Sequence, residues 1–205
     1  MSYCGTYSGT AIIKAYSGIE YKQLGFSTNE LYGSFLLGTL IPQAQKILDV
    51  YCNHDFCDHP AGTITVDGTG KDYVIIPPAY SPLRGTLLNS VTIDSVSKTV
   101  SDFKIYDQYV VYDGGTFPKD PLNVVLVGTY GYSSVPGDVS YIHAQVCANA
   151  LREMVRSKMM PDLIVPLMEA EGASSLGAIL ASPRIFTSEL KGMLKNYVYV
   201  DVGVG

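Results

Sequence analysis

Three short stretches of this 205-residue chain bring metal-ligating, phosphate-binding or nucleophilic side chains close together. The first, Cys52-Asn53-His54-Asp55-Phe56-Cys57-Asp58-His59, puts two thiols and two imidazoles into eight residues. Thiolate sulfur and neutral imidazole nitrogen are ligands that zinc prefers, so Cys52, His54, Cys57 and His59 form a candidate metal set. Structural zinc sites usually draw ligand pairs, two to four residues apart, from two distant segments. Here one residue separates the members of each pair, and four tetrahedral contacts from a single turn would be strained. We read the stretch as a helix-end loop needing no cofactor, with zinc as the alternative and a Cys52–Cys57 disulfide as a further one.

The second stretch, Gly68-Thr69-Gly70-Lys71-Asp72, is a fragment of a phosphate-loop pattern. It lacks the first glycine at the required spacing, and Asp72 stands where a Ser or Thr must hold magnesium. It also lies between strand patterns, so a tight hairpin turn is expected. The third, Gly172-Ala173-Ser174-Ser175-Leu176-Gly177, has the wrong spacing for a nucleophile elbow. The chain has three histidines, and two belong to the first stretch. The third, His143, falls beside an apolar helical stripe and reads as a hydrogen-bonded core or interface histidine. No convergent nucleophile, base and oxyanion donors can be named, so an enzyme is not expected. Arg152 and Arg156 share a helix face near Lys158; they suit phosphates or the carboxylates of a neighbouring subunit, or simply a solvated face. Glu153 and Asp162 beside them argue against a nucleic-acid patch.

The elements that would carry these residues follow from periodicity. A short helix covers Thr10 to Ser17, capped by Ser8 or Thr10 and stopped by Gly18. Ser27-Thr28-Asn29-Glu30 reads as a capping box. Behind it Leu37, Leu40, Ile41, Ala44, Ile47, Leu48 and Tyr51 form one apolar helical face, ending near Asn53. Pro42 should kink this helix or begin its second half. From Ala61 to Tyr132 the period changes to that of strands. Thr63–Val66 and Tyr73–Ile76 are expected to form a hairpin, followed by strands at Val91–Val96, Phe103–Tyr106, Gln108–Tyr112 and Asn123–Tyr130. Helical periodicity returns at Pro136, with Val139, Ile142, Val146, Ala150 and Met154 as a stripe running to about Met159. Pro161 and Pro166 punctuate the stop, and Glu171–Ala181 reads as a loop with at most weak helix. A last helix runs from Leu190 to Asn196. Residues 197–205 alternate Tyr and Val like a strand with no evident partner, a segment suited to β-augmentation or to docking on a neighbour. The expected fold is α+β: a helical core with a long kinked N-terminal helix and C-terminal helices, an inserted antiparallel β unit (61–132) and an extended tail (197–205), all within one domain, 1–205.

Composition is that of an ordinary globular chain, 47% hydrophobic and 16% charged. A net charge of −5 and a pI near 5.1 disfavour tight sequence-independent DNA binding without forbidding DNA passage. No secretory signal or membrane span is read, and four cysteines are too few for a disulfide scaffold, which suits assembly in a reducing cytoplasm. Sixteen tyrosines and no tryptophan suit partly wet packing surfaces.

This order of elements resembles the longer, β-containing head–tail connector (adaptor) proteins of tailed bacteriophages and related gene-transfer particles. Four stretches carry the likeness. Ala44 to Cys52 followed by His54-Asp55-Phe56 looks like the family's long helix ending in a Tyr and then an aromatic. Thr65 to Pro77 is similar to its hairpin. Asn123 to Tyr132 with Val135-Pro136-Gly137-Asp138-Val139 resembles its strand, turn and helix. Ser188-Glu189-Leu190 through Leu194-Lys195-Asn196-Tyr197 looks like its C-terminal helix. The chain departs from the family at Asn53-His54, where an Arg is frequent, and at Pro42. The resemblance implies a structural virion protein at the head–tail junction, assembled in the host cytoplasm, without catalytic residues or cofactor. It implies a ring of about twelve copies that meets the portal protein and a tail or neck-completion protein. DNA would pass through that ring without sequence-specific binding, and no membrane would be involved. The tail, Tyr197, Val198, Tyr199, Val200 and Asp201, would reach the portal, and Arg152 and Arg156 are candidates for the portal or subunit interface. The alternatives are another neck or tail-completion ring protein, or a small metal-binding regulatory module centred on the Cys/His stretch.

Overall fold

The computed structural model describes residues 5–157 and 180–199, with side chains left aside at 84–87. The fold is α+β, and the chain divides into two compact units. Among the described residues one unit joins Gly5–Cys52 to Val135–Val198, and the other comprises Asn53–Ser134 with Tyr199.

The first unit is helical. Helix α1 (Thr10–Ser17) starts behind Gly9 and stops at Gly18, whose left-handed φ of 65° lets its amide reach the Lys14 carbonyl. Ser8 and Thr10 therefore do not cap it; Ser8 is buried elsewhere in the unit. Helix α2 (Asn29–Phe35) is capped by Thr28, whose hydroxyl accepts from the Leu31 amide at 3.2 Å, so the cap falls one residue later than expected. A reciprocal capping box does occur earlier, between Glu20 and Gln23, where it opens a 3-10 turn.

Helix α2 passes through a π-helical turn, Leu36–Leu40, into α3 (Ile41–Cys52). The Ile41 amide reaches back five residues to the Leu36 carbonyl. Pro42 then falls in the first turn of α3, and the wider turn accommodates the hydrogen bond that proline cannot make. The extra residue also rotates the apolar face. Leu36 is buried and Leu37, expected to face inward, is exposed, while Leu40, Ile41, Ala44 and Leu48 stay in the core.

Helix α4 (Gly137–Arg156) buries Val139, Ile142, Val146, Ala150 and Met154 as its periodicity predicts, and packs against α1 and α3. It ends at Ser157, whose hydroxyl donates to the Glu153 carbonyl at 2.7 Å. The expected continuation to Met159, the two prolines and most of Glu171–Ala181 lie outside the described residues. Helix α5 (Ser188–Leu194) is capped by Thr187 and buries Leu190 and Leu194, but leaves Met193 exposed. A 3-10 turn, Lys195–Tyr197, follows, so Tyr197 closes a helix instead of opening a strand.

Among the described residues the second unit has seven strands: β1 (Asp58–Val66), β2 (Tyr73–Ile75), β3 (Leu83–Ile93), β4 (Val96–Lys98), β5 (Phe103–Ile105), β6 (Tyr109–Tyr112) and β7 (Val124–Gly131). They form two antiparallel sheets, ordered β1-β7-β3-β4 and β2-β6-β5. Ile64, Val66, Val91, Ile93, Val124 and Leu126 of the larger sheet share one core with Val74, Phe103 and Val110 of the smaller, and Phe117 fills it from a loop.

Two expectations fail here for physical reasons. Thr63–Val66 and Tyr73–Ile76 do not form a hairpin: β1 pairs with β7, and β2 with β6. The Gly68 amide is held by the Asp120 carbonyl and Asn123 Oδ1, and the Gly70 amide by the Phe117 carbonyl, so the loop crosses to the other sheet instead of folding back. A Cβ on Gly68 would lie 1.8 Å from the Pro118 carbonyl oxygen, and this contact requires glycine. Val91–Val96 is likewise two strands, because Asp94 and Ser95 both adopt left-handed φ (51° and 63°) and turn β3 into β4.

Phe117, fully buried without belonging to either sheet, should act as a keystone of the β core. Phe117→Ala is expected to destabilise the protein by about 3–5 kcal/mol, read by denaturant unfolding. Loss of less than about 1 kcal/mol would show that the two sheets do not depend on it.

Candidate functional site

The chain leaves α3 through Asn53, whose φ of 63° ends the helix, and enters β1 at Asp58. Across this junction Asp55, Cys57 and His59 converge, with one ligand-type atom from each within 4.8 Å of the others. The Asp55 carboxylate accepts from the Cys57 amide at 3.1 Å, and His59 Nε2 lies 2.8 and 3.1 Å from the two Asp55 oxygens. The His59 ring stacks on Tyr130, its cross-strand partner on β7, with centroids 4.5 Å apart and planes at 14°. Tyr80 packs edge-on against Tyr130. Burial raises the Tyr130 hydroxyl pKa, and the neighbouring Tyr80 and Asp55 raise it further.

His54 lies in an aromatic group with Phe56 (4.7 Å), Tyr132 (5.9 Å) and Tyr199 (4.8 Å). Its Nδ1–H donates to the Asp55 carbonyl at 2.6 Å. Burial raises the Tyr199 pKa, partly offset by its hydrogen bond with Tyr132.

Among the described residues the ligand types that group together are Asp55, Cys57 and His59, and not the four residues proposed from spacing. Cys52 is a free, buried thiol in the last turn of α3 and belongs to the helical unit, whereas His54, Cys57 and His59 belong to the β unit. Burial, and then the Asp49 charge, push the Cys52 thiol up to about 12, which opposes thiolate formation. Cys57 is disulfide-bonded, and since Cys52 is free the two do not pair. Asp55 is the member that spacing by pairs overlooked. Its signal was present in the spacing Asp55-Phe56-Cys57-Asp58-His59, which sets three ligand types at every second residue.

The remaining candidates resolve individually. Around Gly68–Lys71 the amides of Gly68 and Gly70 are consumed by the loop preceding β7, and Lys71 Nζ reaches the Tyr73 hydroxyl at 3.1 Å. No helix follows the loop, so no phosphate cradle forms there. The Gly172–Gly177 stretch lies outside the described residues. Arg152 donates to the Tyr16 carbonyl and to Asn149 Oδ1, joining α4 to the end of α1. Arg156 pairs with Glu153 at 3.2 Å and keeps a 74% exposed side chain. The Tyr197 hydroxyl donates to both Asp138 oxygens, at 2.7 and 2.8 Å, in the first turn of α4. Burial and the Asp138 carboxylate raise its pKa to about 12. Val198 is extended, and Val200 and Asp201 lie outside the described residues.

His143 is a fully buried polar residue of the helical unit. Its Nδ1 accepts from the Ser8 hydroxyl at 2.6 Å, and its Nε2–H donates to the Ile41 carbonyl at 3.2 Å. That carbonyl can only accept, which fixes the neutral tautomer. Tyr7 packs edge-on against the ring, and Cys147 Sγ lies 3.9 Å from Nε2. Ser8 and His143 have the contact of a nucleophile and base, but both are buried, at 3% and 0% exposure, so no substrate reaches them. The pair is structural, and joins the segment before α1 to α3 and α4.

No family model matches the chain, and no curated protein matches it. Among solved structures it is similar to a chain of a structure described as the neck of an empty GTA particle computed with C6 symmetry. The likeness covers 100% of this chain and 97% of that one, with a TM-score of 0.53 and 13% identity. At this identity the likeness is one of fold.

Burial lowers the His143 pKa to about 4 from an ordinary 6.5, opposed in part by the Ile41 carbonyl. A base with a depressed folded pKa stabilises the fold fully above pH 6.5 and loses that contribution as pH falls toward 4. Unfolding free energy should therefore fall by about 3 kcal/mol across this window through His143 alone. His143→Gln should flatten this acid limb in a denaturation series from pH 7 to 4. An unchanged slope would assign the acid sensitivity to other groups.

Proposed function

We propose that this chain is a non-enzymatic structural neck component of a tailed virus or gene-transfer particle, acting as a head–tail connector. One observation supports this reading above the others: the fold likeness to a particle-neck chain covers 100% of this chain and 97% of that one. In this reading copies associate head to tail into a closed ring of about twelve, the arrangement that heterologous interfaces produce when the rotation closes. The ring joins the portal protein to a tail or neck-completion protein and leaves a passage for DNA. Its action is mechanical, with many modest contacts multiplied by avidity. The net charge of −5 suits a wall past which DNA slides without being gripped. The location is the virion head–tail junction, after assembly in the host cytoplasm.

Arg156, largely exposed at the end of α4, is the better subunit-interface candidate, because the Arg152 guanidinium is occupied by Tyr16 and Asn149. The tail is assigned to the portal. Tyr197 and Tyr199 already pack within their own units, so the portion to remove in a test begins after Tyr199.

Native mass spectrometry of the purified chain, alone and mixed with its portal, tests the proposal. A large closed ring, formed alone or with portal, is expected; a strict monomer that ignores portal would overturn it. Deleting residues 200–205 should abolish portal association while leaving thermal unfolding unchanged. Normal association by that truncated protein would remove the tail from the interface. Arg156→Glu should reduce the ring fraction at a given concentration by about tenfold or more if a neighbour's carboxylate meets it, and leave it unchanged if that face is solvated.

A further inference from the structure

The group formed by Asp55, Cys57 and His59 has no part in the neck reading, and its chemistry is that of a metal site. We propose that, when Cys57 is reduced, Asp55 Oδ, Cys57 Sγ and His59 Nε2 form a three-ligand site for zinc, with water in the fourth position. The disulfide and the metal are then alternative states of Cys57.

The donor set is a thiolate, an imidazole and a carboxylate, each a first-row ligand suited to zinc. The three donor atoms lie within 4.8 Å of one another. A tetrahedral zinc, with bonds of about 2.3 Å to sulfur and about 2.0–2.1 Å to nitrogen or oxygen, wants its ligands about 3.3–3.6 Å apart. Hydrogen bonds hold the backbone around Cys57. The Cys57 amide orients the Asp55 carboxylate, and the Tyr132 amide bonds to the Cys57 carbonyl at 3.0 Å. Gly131 sits so close to that carbonyl that a Cβ would fall 1.9 Å from its oxygen. His59 is held by its stack on Tyr130, with Nε2 turned toward Asp55. The His59 and Asp55 side chains are 18% and 36% exposed, so an ion can arrive from solvent. In the oxidised protein the Asp55–His59 pair occupies the same space, and the sulfur, bonded to sulfur, cannot ligate.

The redox step balances with a cellular thiol as reductant. Two thiols reduce the Cys57 disulfide to two cysteine thiols and become a disulfide themselves. Zinc then displaces the Cys57 thiol proton to solvent and accepts the sulfur lone pair. Exchange with a low-molecular-weight disulfide, which is reduced to two thiols, re-forms the Cys57 disulfide and releases the ion. Such a site would fasten the approach to β1 in a reducing compartment, where the disulfide does not persist.

Cobalt titration of the full-length chain tests this. Protein reduced with a phosphine under anaerobic conditions is expected to bind one equivalent of Co2+, with a thiolate-to-cobalt charge-transfer band that one equivalent of Zn2+ removes. Oxidised protein should show no such band. Cys57→Ser should lose it, and Asp55→Asn and His59→Ala should each weaken binding by about tenfold or more. Asp55→Asn keeps the acceptor for the Cys57 amide, so its folded state can be verified by circular dichroism. Cys52→Ala should bind normally. No uptake by reduced wild type, or equal uptake by reduced and oxidised protein, would overturn the proposal. So would loss of binding in Cys52→Ala with retention in Asp55→Asn.

Discussion

A unit inserted into a chain must bring its entrance and its exit together, and in the β unit the pairing of β1 with β7 does this, ending at a backbone contact between Cys57 and Tyr132. The approach to β1 passes Cys57, and β7 ends at Gly131. The Tyr132 amide bonds to the Cys57 carbonyl, and the Gly131 amide to the Pro82 carbonyl. With φ at 80°, Gly131 takes a conformation that side chains disfavour, and a Cβ there would collide with the Cys57 carbonyl. The residues around this contact inherit its geometry. Asp58 and His59 register against Gly131 and Tyr130, and Ala61, with φ of 55°, lies in the irregularity between His59 and Gly62 before regular pairing resumes. Gly62 is in turn required because a Cβ would enter the Tyr130 ring.

The three- and four-stranded sheets bury their inner faces in one shared cluster. The shared core explains why adjacent segments do not simply fold back on each other. Tyr73–Ile75 contributes Val74 to that core from the smaller sheet, which a hairpin with β1 would prevent. The loops must therefore cross between sheets, and Gly68, Asn123 and Phe117 are the residues that hold one such crossing.

The helical unit meets a similar demand with a buried polar group. His143 satisfies both ring nitrogens between Ser8 and Ile41, so three sequence-distant segments share one neutral side chain. A buried polar group of this kind is acceptable only when fully partnered, and here its partners fix the position of the segment before α1. The arrangement suits a protein whose proposed role is geometric: interfaces repeated around a ring require that each copy present the same surfaces.

Much of this was present in the sequence. The 3.6-residue stripes of α3 and α4, the glycine stop at Gly18 and the shift to strand period between the helices are local signals, set by interactions within a few residues. The α+β class, with helices from both ends of the chain around an inserted β segment, follows from those signals alone. The sequence did not determine what depends on distant partners. Strand pairing was misread at Thr63–Ile76 because alternation says which face is apolar and not which strand lies alongside. The rotation that buried Leu36 instead of Leu37 came from a π turn, whose extra residue leaves no pattern in hydrophobicity. The candidate site changed most. Counting Cys and His by pairs selected Cys52, which lies in the last turn of α3, whereas the ligand types that converge are Asp55, Cys57 and His59. Spacing along a chain becomes distance in space only once the backbone conformation is known, and that conformation was set by Asn53 ending a helix and Gly131 closing the sheet.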